Sequence, residues 1–237
     1  MRWLAALLAM LFAGAAAAVT PDPSVPQRGA AAAVGALVWL HPSYGGDHPP
    51  EAPPWTTRLV AAGWDLWRLD RTGPGDPLDG GAQRLAAGST ALRAQGYRRV
   101  LLVGDSRGAF IALLALAVPG VADGVVLTAP AAHGRSETRR AQALEDFGSA
   151  LAAAALPASA RMALVLFADD AWDPNPAARA SMFRAAVARM GIAGRLIDRP
   201  ASPRGHDAAS GALFDRLFGA CLAAFIDPER FPPASCP

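Results

Sequence analysis

Short apolar runs recur along the chain, each ending in a loop of Gly, Pro, Asp or His and followed by a stretch with helical spacing. Ala36 to Leu40 (ALVWL), Trp64 to Leu69, Val100 to Val103, Gly124 to Ala129, Met162 to Phe167 and Gly194 to Asp198 predict strands. Helices are predicted from Trp55 to Ala62 (stopped by Gly63), Leu78 to Ala94 (closed by Gly96), Ala109 to Leu116, Glu137 to Ala155, Pro176 to Met190 (capped by Gly191) and Ala208 to Phe225. In the last of these, Leu213, Phe214, Leu217, Phe218, Cys221, Leu222 and Phe225 share one face, which core packing explains. Strand and helix in alternation predict an α/β fold: a mostly parallel sheet of about six strands with helices on both faces. Sites on such sheets lie beyond the carboxyl ends of the strands, where the polar clusters of this chain fall.

One of those clusters organises the rest. Between the apolar run at Val100 to Val103 and the helix from Ala109 lies Gly104-Asp105-Ser106-Arg107-Gly108, a G-x-S-x-G. A strand passing directly into a helix there puts Ser106 on a strained turn, with its hydroxyl exposed above the sheet and glycines where backbones must approach closely. That is a nucleophile elbow.

A serine hydroxyl attacks only when a base takes its proton and a third group holds the base. Of His41, His48, His133 and His206, His206 is the expected base: it sits in Pro203-Arg204-Gly205-His206-Asp207, a loop opening at the carboxyl edge. His133 leads into a segment placed to form a lid, and His41 shapes the loop after the first strand. Phe167-Ala168-Asp169-Asp170-Ala171-Trp172-Asp173-Pro174 offers three carboxylates just past another strand. Asp173, far enough along to lean over the site, is the expected orienting acid, with Asp170 and then Asp169 as alternatives. Aspartates there also cap loops and helices, and a calcium site would need a ligand spacing these three do not show. The expected oxyanion donors are the Arg107 amide, at a helix N-terminus, and the amide of Ser43 or Tyr44, since Pro42 has none. Tyr44 and Trp172 are candidate pocket walls for substrate.

The chain has 237 residues, 52% hydrophobic and 18% charged, with net charge +2, which suits one compact domain and leaves no basic run for nucleic acid. Met1 to Ala18 carries Arg2, an apolar core and a terminal Ala16-Ala17-Ala18, in the order of a secretory signal peptide. Residues 19–30, with Pro21, Pro23 and Pro26, then form an extended leader without regular structure, and 31–237 the single domain. A secreted or periplasmic protein is expected, without stable membrane insertion once the signal is removed. In that compartment Cys221 and Cys236 would form a disulfide joining the tail to the last helix.

At these residues the chain resembles the α/β-hydrolases, over roughly Ala36 to Phe225. VLLVGDSRGA at the elbow and the terminal RGHD carry the likeness, and the order Ser106, Asp173, His206 is that family's. The resemblance implies ester, thioester or amide hydrolysis of a small-molecule acyl substrate through an acyl-enzyme, with no metal or cofactor. His41-Pro42 replaces the family's common His-Gly, which leaves the second oxyanion donor open between Ser43 and Tyr44. Few residues precede Ala31, so the N-terminal sheet is expected to be shortened, and His133 to Ser159 is short enough to imply a small cap or none. The reading is an esterase-like serine hydrolase. The alternatives are a peptidase or acyltransferase with the same triad, and a non-catalytic binding protein on the same fold.

Overall fold

In the computed structural model the chain is described over residues 19–43, 49–71, 77–133 and 136–237. The signal-peptide expectation for Met1 to Ala18, and the roles expected of Tyr44, lie outside those residues. Seven strands form one open sheet: β1 (Val19–Pro21), β2 (Ala36–Leu40), β3 (Asp65–Leu69), β4 (Val100–Asp105), β5 (Gly124–Thr128), β6 (Arg161–Leu166) and β7 (Ala193–Asp198), in the order β1-β3-β2-β4-β5-β6-β7. From β3 to β7 every pairing is parallel.

Helices α1 (Thr56–Ala61), α2 (Leu78–Ala94), α3 (Arg107–Ala115), α4 (Arg140–Ala153) and α5 (Pro176–Met190) connect the strands. Alternate residues of the central strands feed two cores. Val38, Leu40, Val100 and Leu102 pack beneath α2, α3, α4 and α5, while Leu37, Trp39, Leu101 and Val103 pack beneath α1 and the C-terminal helices. Coverage on both faces is why these strands read as continuous apolar runs rather than alternating ones.

Two stretches depart from the expectation. In the leader, β1 adds an antiparallel edge strand to β3, and the buried Asp65 carboxylate accepts from the Arg28 amide (2.7 Å), the Gly29 amide (2.9 Å) and the Tyr97 hydroxyl (2.6 Å). Pro21, Pro23 and Pro26 mask this in the sequence, because proline weakens a strand signal without forbidding an edge position. The last helix is interrupted. His206–Ser210 is a 3-10 turn, α6 (Ala212–Phe214) runs into a π-turn at Asp215–Gly219, and α7 is Ala220–Ile226. Leu213, expected on the buried stripe with Phe214, is 38% exposed, whereas Phe214 is fully buried. Cys221 and Cys236 form a disulfide that fastens the tail to α7. Among the described residues no helix is long and apolar enough to cross a membrane.

Candidate active site

Ser106 sits between β4 and α3 with φ 53° and ψ −118°, a conformation an L-residue holds only under constraint, at a cost of about 1–3 kcal/mol. Three hydrogen bonds supply the constraint. Its amide donates to the Thr128 carbonyl (2.9 Å), and its carbonyl accepts from the amides of Phe110 and Ala131 (both 3.1 Å). The flanking glycines are required by space: a Cβ at Gly104 would lie 2.6 Å from the Ala109 Cα, and one at Gly108 would collide with the carbonyls of Leu40 and His41. The first turn of α3 is therefore pressed against the end of β2, beside the loop expected to complete the oxyanion site.

His206 Nε2 lies 2.7 Å from Ser106 Oγ, and its Nδ1 lies 2.9 and 3.0 Å from the two carboxylate oxygens of Asp170. An ionised carboxylate only accepts, so Nδ1 carries the proton and Nε2 is left to accept from the serine hydroxyl. The carboxylate that meets His206 is thus Asp170, not Asp173. Backbone geometry explains the correction. Asp169, at φ 59°, turns the chain sharply after β6, and the Gly205 amide donates to the Ala168 carbonyl (2.8 Å), which draws the histidine loop to the start of the acidic stretch rather than its end. An exposed ion pair between Arg204 and Asp169 (2.8 Å) spans the same two loops. Asp173 accepts instead from the Asn175 amide (3.0 Å) and faces the buried Arg179, whose Nε is 3.4 Å away. Burial pushes the Asp173 carboxyl up, with the Arg179 charge pulling it back, and burial likewise pushes the Arg179 guanidinium down.

Trp172 stacks on the His206 imidazole, ring centres 5.0 Å apart and planes 20° from parallel. It covers one face of the imidazole that bridges Ser106 and Asp170. On the opposite side of the elbow, Arg71 Nη1 donates to the carbonyls of His41 (3.0 Å) and Pro42 (3.2 Å), and His41 Nδ1 donates to the Pro42 carbonyl (2.7 Å). The Pro42–Ser43 peptide is trans, so the Ser43 N–H points away from Arg71. The Arg107 amide stands at the N-terminus of α3, immediately after Ser106.

His133 is elsewhere. Its Nε2 is 2.7 Å from Asp146 Oδ2, in a cavity of about 410 Å³ lined by Leu78, Phe110, Leu114, Asp146 and Ala150, and none of Ser106, Asp170 and His206 lines that cavity. Two residues near Ser106, His206 and Asp170 are not singled out by the sequence pattern. Asp105, 2% exposed, has its carboxyl pushed up to about 6 by burial, against the lowering effect of the Thr128 hydroxyl and the His206 charge. Its signal was a carboxylate closing a wholly apolar strand. Arg179 is fully buried, and its signal was an arginine at helical spacing with Phe183 and Ala186 on the inward face of α5.

No protein-family model and no curated protein sequence matches the chain. Solved structures do. An acetyl ester–xyloside bifunctional hydrolase from Caldicellulosiruptor lactoaceticus superposes with TM-score 0.59 at 16% identity, covering 90% of this chain and 96% of that one. A member of the α/β serine hydrolases without a lid, from Xanthomonas campestris, gives 0.53 at 18% identity over 92% and 89%. A lipase/esterase from Lactobacillus plantarum gives 0.58 at 15% identity over 89% and 91%. At these identities the likeness is one of fold, and the chemistry rests on the residues.

Proposed function

We propose that this chain, which has the α/β-hydrolase fold, is a serine hydrolase that cleaves carboxylic esters or related acyl compounds through an acyl-enzyme. The observation that carries the proposal is the continuous hydrogen-bonded chain from Ser106 Oγ through His206 to Asp170, with Ser106 held strained at the elbow. Each group then has a task. Ser106 Oγ attacks the acyl carbon as His206 Nε2 takes its proton, and Asp170 holds the imidazolium in place. The amide of Arg107, with that of Ser43 or Tyr44, receives the charge that develops on the acyl oxygen. The imidazolium then protonates the leaving alcohol. Water, deprotonated by the same nitrogen, releases the acid.

Esters are proposed as the substrate class because two of the solved structures that share this fold are an acetyl ester–xyloside bifunctional hydrolase and a lipase/esterase. Trp172 is proposed to wall the substrate side of the imidazole. Export is part of the proposal: Met1 to Ala18 would be removed as a signal, and the Cys221–Cys236 disulfide suits an oxidising compartment. Steady-state hydrolysis of p-nitrophenyl esters from acetate to octanoate tests the assignment. Turnover that disappears in Ser106→Ala and His206→Ala is expected, and turnover that survives in Ser106→Ala refutes it.

A further inference from the structure

Arg179 lies outside the hydrogen-bonded chain just described, yet it is 0% exposed and imperfectly satisfied. Its guanidinium lies 4.9 Å from the Phe147 ring centre, Nη1 donates to the Pro130 carbonyl, and Nε faces Asp173 Oδ1 at 3.4 Å. Nη2 has no hydrogen-bond partner, and neither has the buried Asp173 Oδ2. Packing alone does not explain such a pair, because an apolar side chain of similar volume would fill the space without the desolvation cost of two charges.

Its contacts lead to both ends of the triad. The peptide whose carbonyl receives Nη1, Pro130–Ala131, donates its N–H to the carbonyl of Ser106 at 3.1 Å. A peptide group is planar and rigid, so the guanidinium fixes one edge of the unit whose other edge holds the strained serine. On the other side, the Asp173 amide donates to the Asp170 carbonyl at 3.2 Å, which puts the carboxylate facing Arg179 and the carboxylate meeting His206 on one turn. We propose that Arg179, paired with Asp173, is a positioning residue that sets the elbow carbonyl of Ser106 and the turn bearing Asp170 relative to each other.

The proposal rests on the Ser106–His206–Asp170 reading and makes a prediction that simple packing does not. The charges around His206 are Asp170 at 2.9 Å, Asp105 from the end of β4, Asp207 beside it in the chain, and the Asp173–Arg179 pair behind Asp170, with Arg199 acting on Asp173. Arg179 and Asp173 together are neutral. Removing the cation leaves negative charge behind Asp170, which favours the imidazolium. Removing the anion leaves positive charge there, which disfavours it.

The experiment measures the second-order rate of inactivation by a fluorophosphonate against pH, for folded wild-type protein and for Arg179→Met, Arg179→Lys and Asp173→Asn. In Arg179→Met the plateau rate falls at least tenfold and the acid limb moves to higher pH. In Asp173→Asn the limb moves to lower pH, and in Arg179→Lys it returns to the wild-type position. Should Arg179→Met not fold, the double variant Arg179→Met/Asp173→Asn, which buries neither charge, carries the test: it keeps the tenfold loss with the limb at the wild-type position. Limbs unmoved in both single-charge variants, or moved in the same direction, overturn the role of Arg179 while leaving the triad intact. A wild-type protein that forms no adduct at Ser106 overturns both.

Discussion

Asp105 immediately precedes Ser106, is buried, and is held with its carboxyl raised from 3.8 to about 6. The local hydrogen bonding agrees. Thr128 Oγ1 is 3.0 Å from the Gly104 carbonyl and 2.9 Å from Asp105 Oδ1, but a hydroxyl has one proton. A protonated Asp105 can donate to Thr128 while Thr128 donates to Gly104, whereas an ionised Asp105 leaves one of the two acceptors unserved. The unfolded chain ionises this group near 3.8 and the folded protein near 6, so folding takes up a proton between those values and stability falls as pH rises through them. A difference of about 2 units corresponds to ~3 kcal/mol, fully felt above pH 6 and absent below about pH 4. Asp105→Asn keeps the shape and removes the charge. Allowing ~1 kcal/mol for an amide N–H left without a good acceptor, the variant is expected to be more stable than wild type by ~2 kcal/mol at pH 7.5. In a domain of this size that is a rise of roughly 4–8 °C in Tm. The check is urea and thermal unfolding of both proteins at pH 4 and pH 7.5. At pH 4 the gain should be gone, with the ~1 kcal/mol amide cost leaving the variant slightly less stable than wild type, and a variant less stable than wild type at pH 7.5, or a difference independent of pH, would refute the reasoning.

The acid assignment gives a sharper kinetic contrast: Asp170→Asn should lower kcat by about 10⁴, as expected when the imidazole loses its orienting carboxylate. Asp173→Asn should lose at least a hundredfold less, and equal losses would contradict the geometry. The Cys221–Cys236 bridge spans a sequence separation of 15, so Cys221→Ser/Cys236→Ser should unfold with ~3 kcal/mol less stability, measured in urea. Its fluorophosphonate reactivity well below the melting temperature should be unchanged, because the bridge fastens the tail to α7 and none of Ser106, Asp170 and His206 lies on either.

Most of the fold was legible because each central strand is buried on both faces and so reads as an unbroken apolar run, with Gly63, Gly96 and Gly191 marking helix ends. Ser106 and His206 were legible for a related reason. Each lies on a sharp turn framed by small residues at the carboxyl edge, and the two side chains meet at 2.7 Å. The acid was not, because three aspartates within five residues share one local signature, and what separates them is long-range. Gly205 bonds to Ala168 and so selects Asp170, while Arg179, on the next helix, takes Asp173. β1 was hidden because its partner, β3, lies more than forty residues away and its own sequence is proline-rich. The buried charges Asp105 and Arg179 escaped for the opposite reason: polarity at an inward position reads as noise in a hydrophobic pattern until the partners that tolerate it are known.

Ser106 is proposed as an activated nucleophile. The most direct test is treatment of the purified protein with a fluorophosphonate, followed by mass-spectrometric mapping of the adduct in wild type, Ser106→Ala and His206→Ala. A single phosphonyl adduct on Ser106 in wild type, absent from Ser106→Ala and slowed by at least a thousandfold in His206→Ala, is the predicted result. Folded wild-type protein that forms no adduct, or forms one equally fast without His206, would contradict the account.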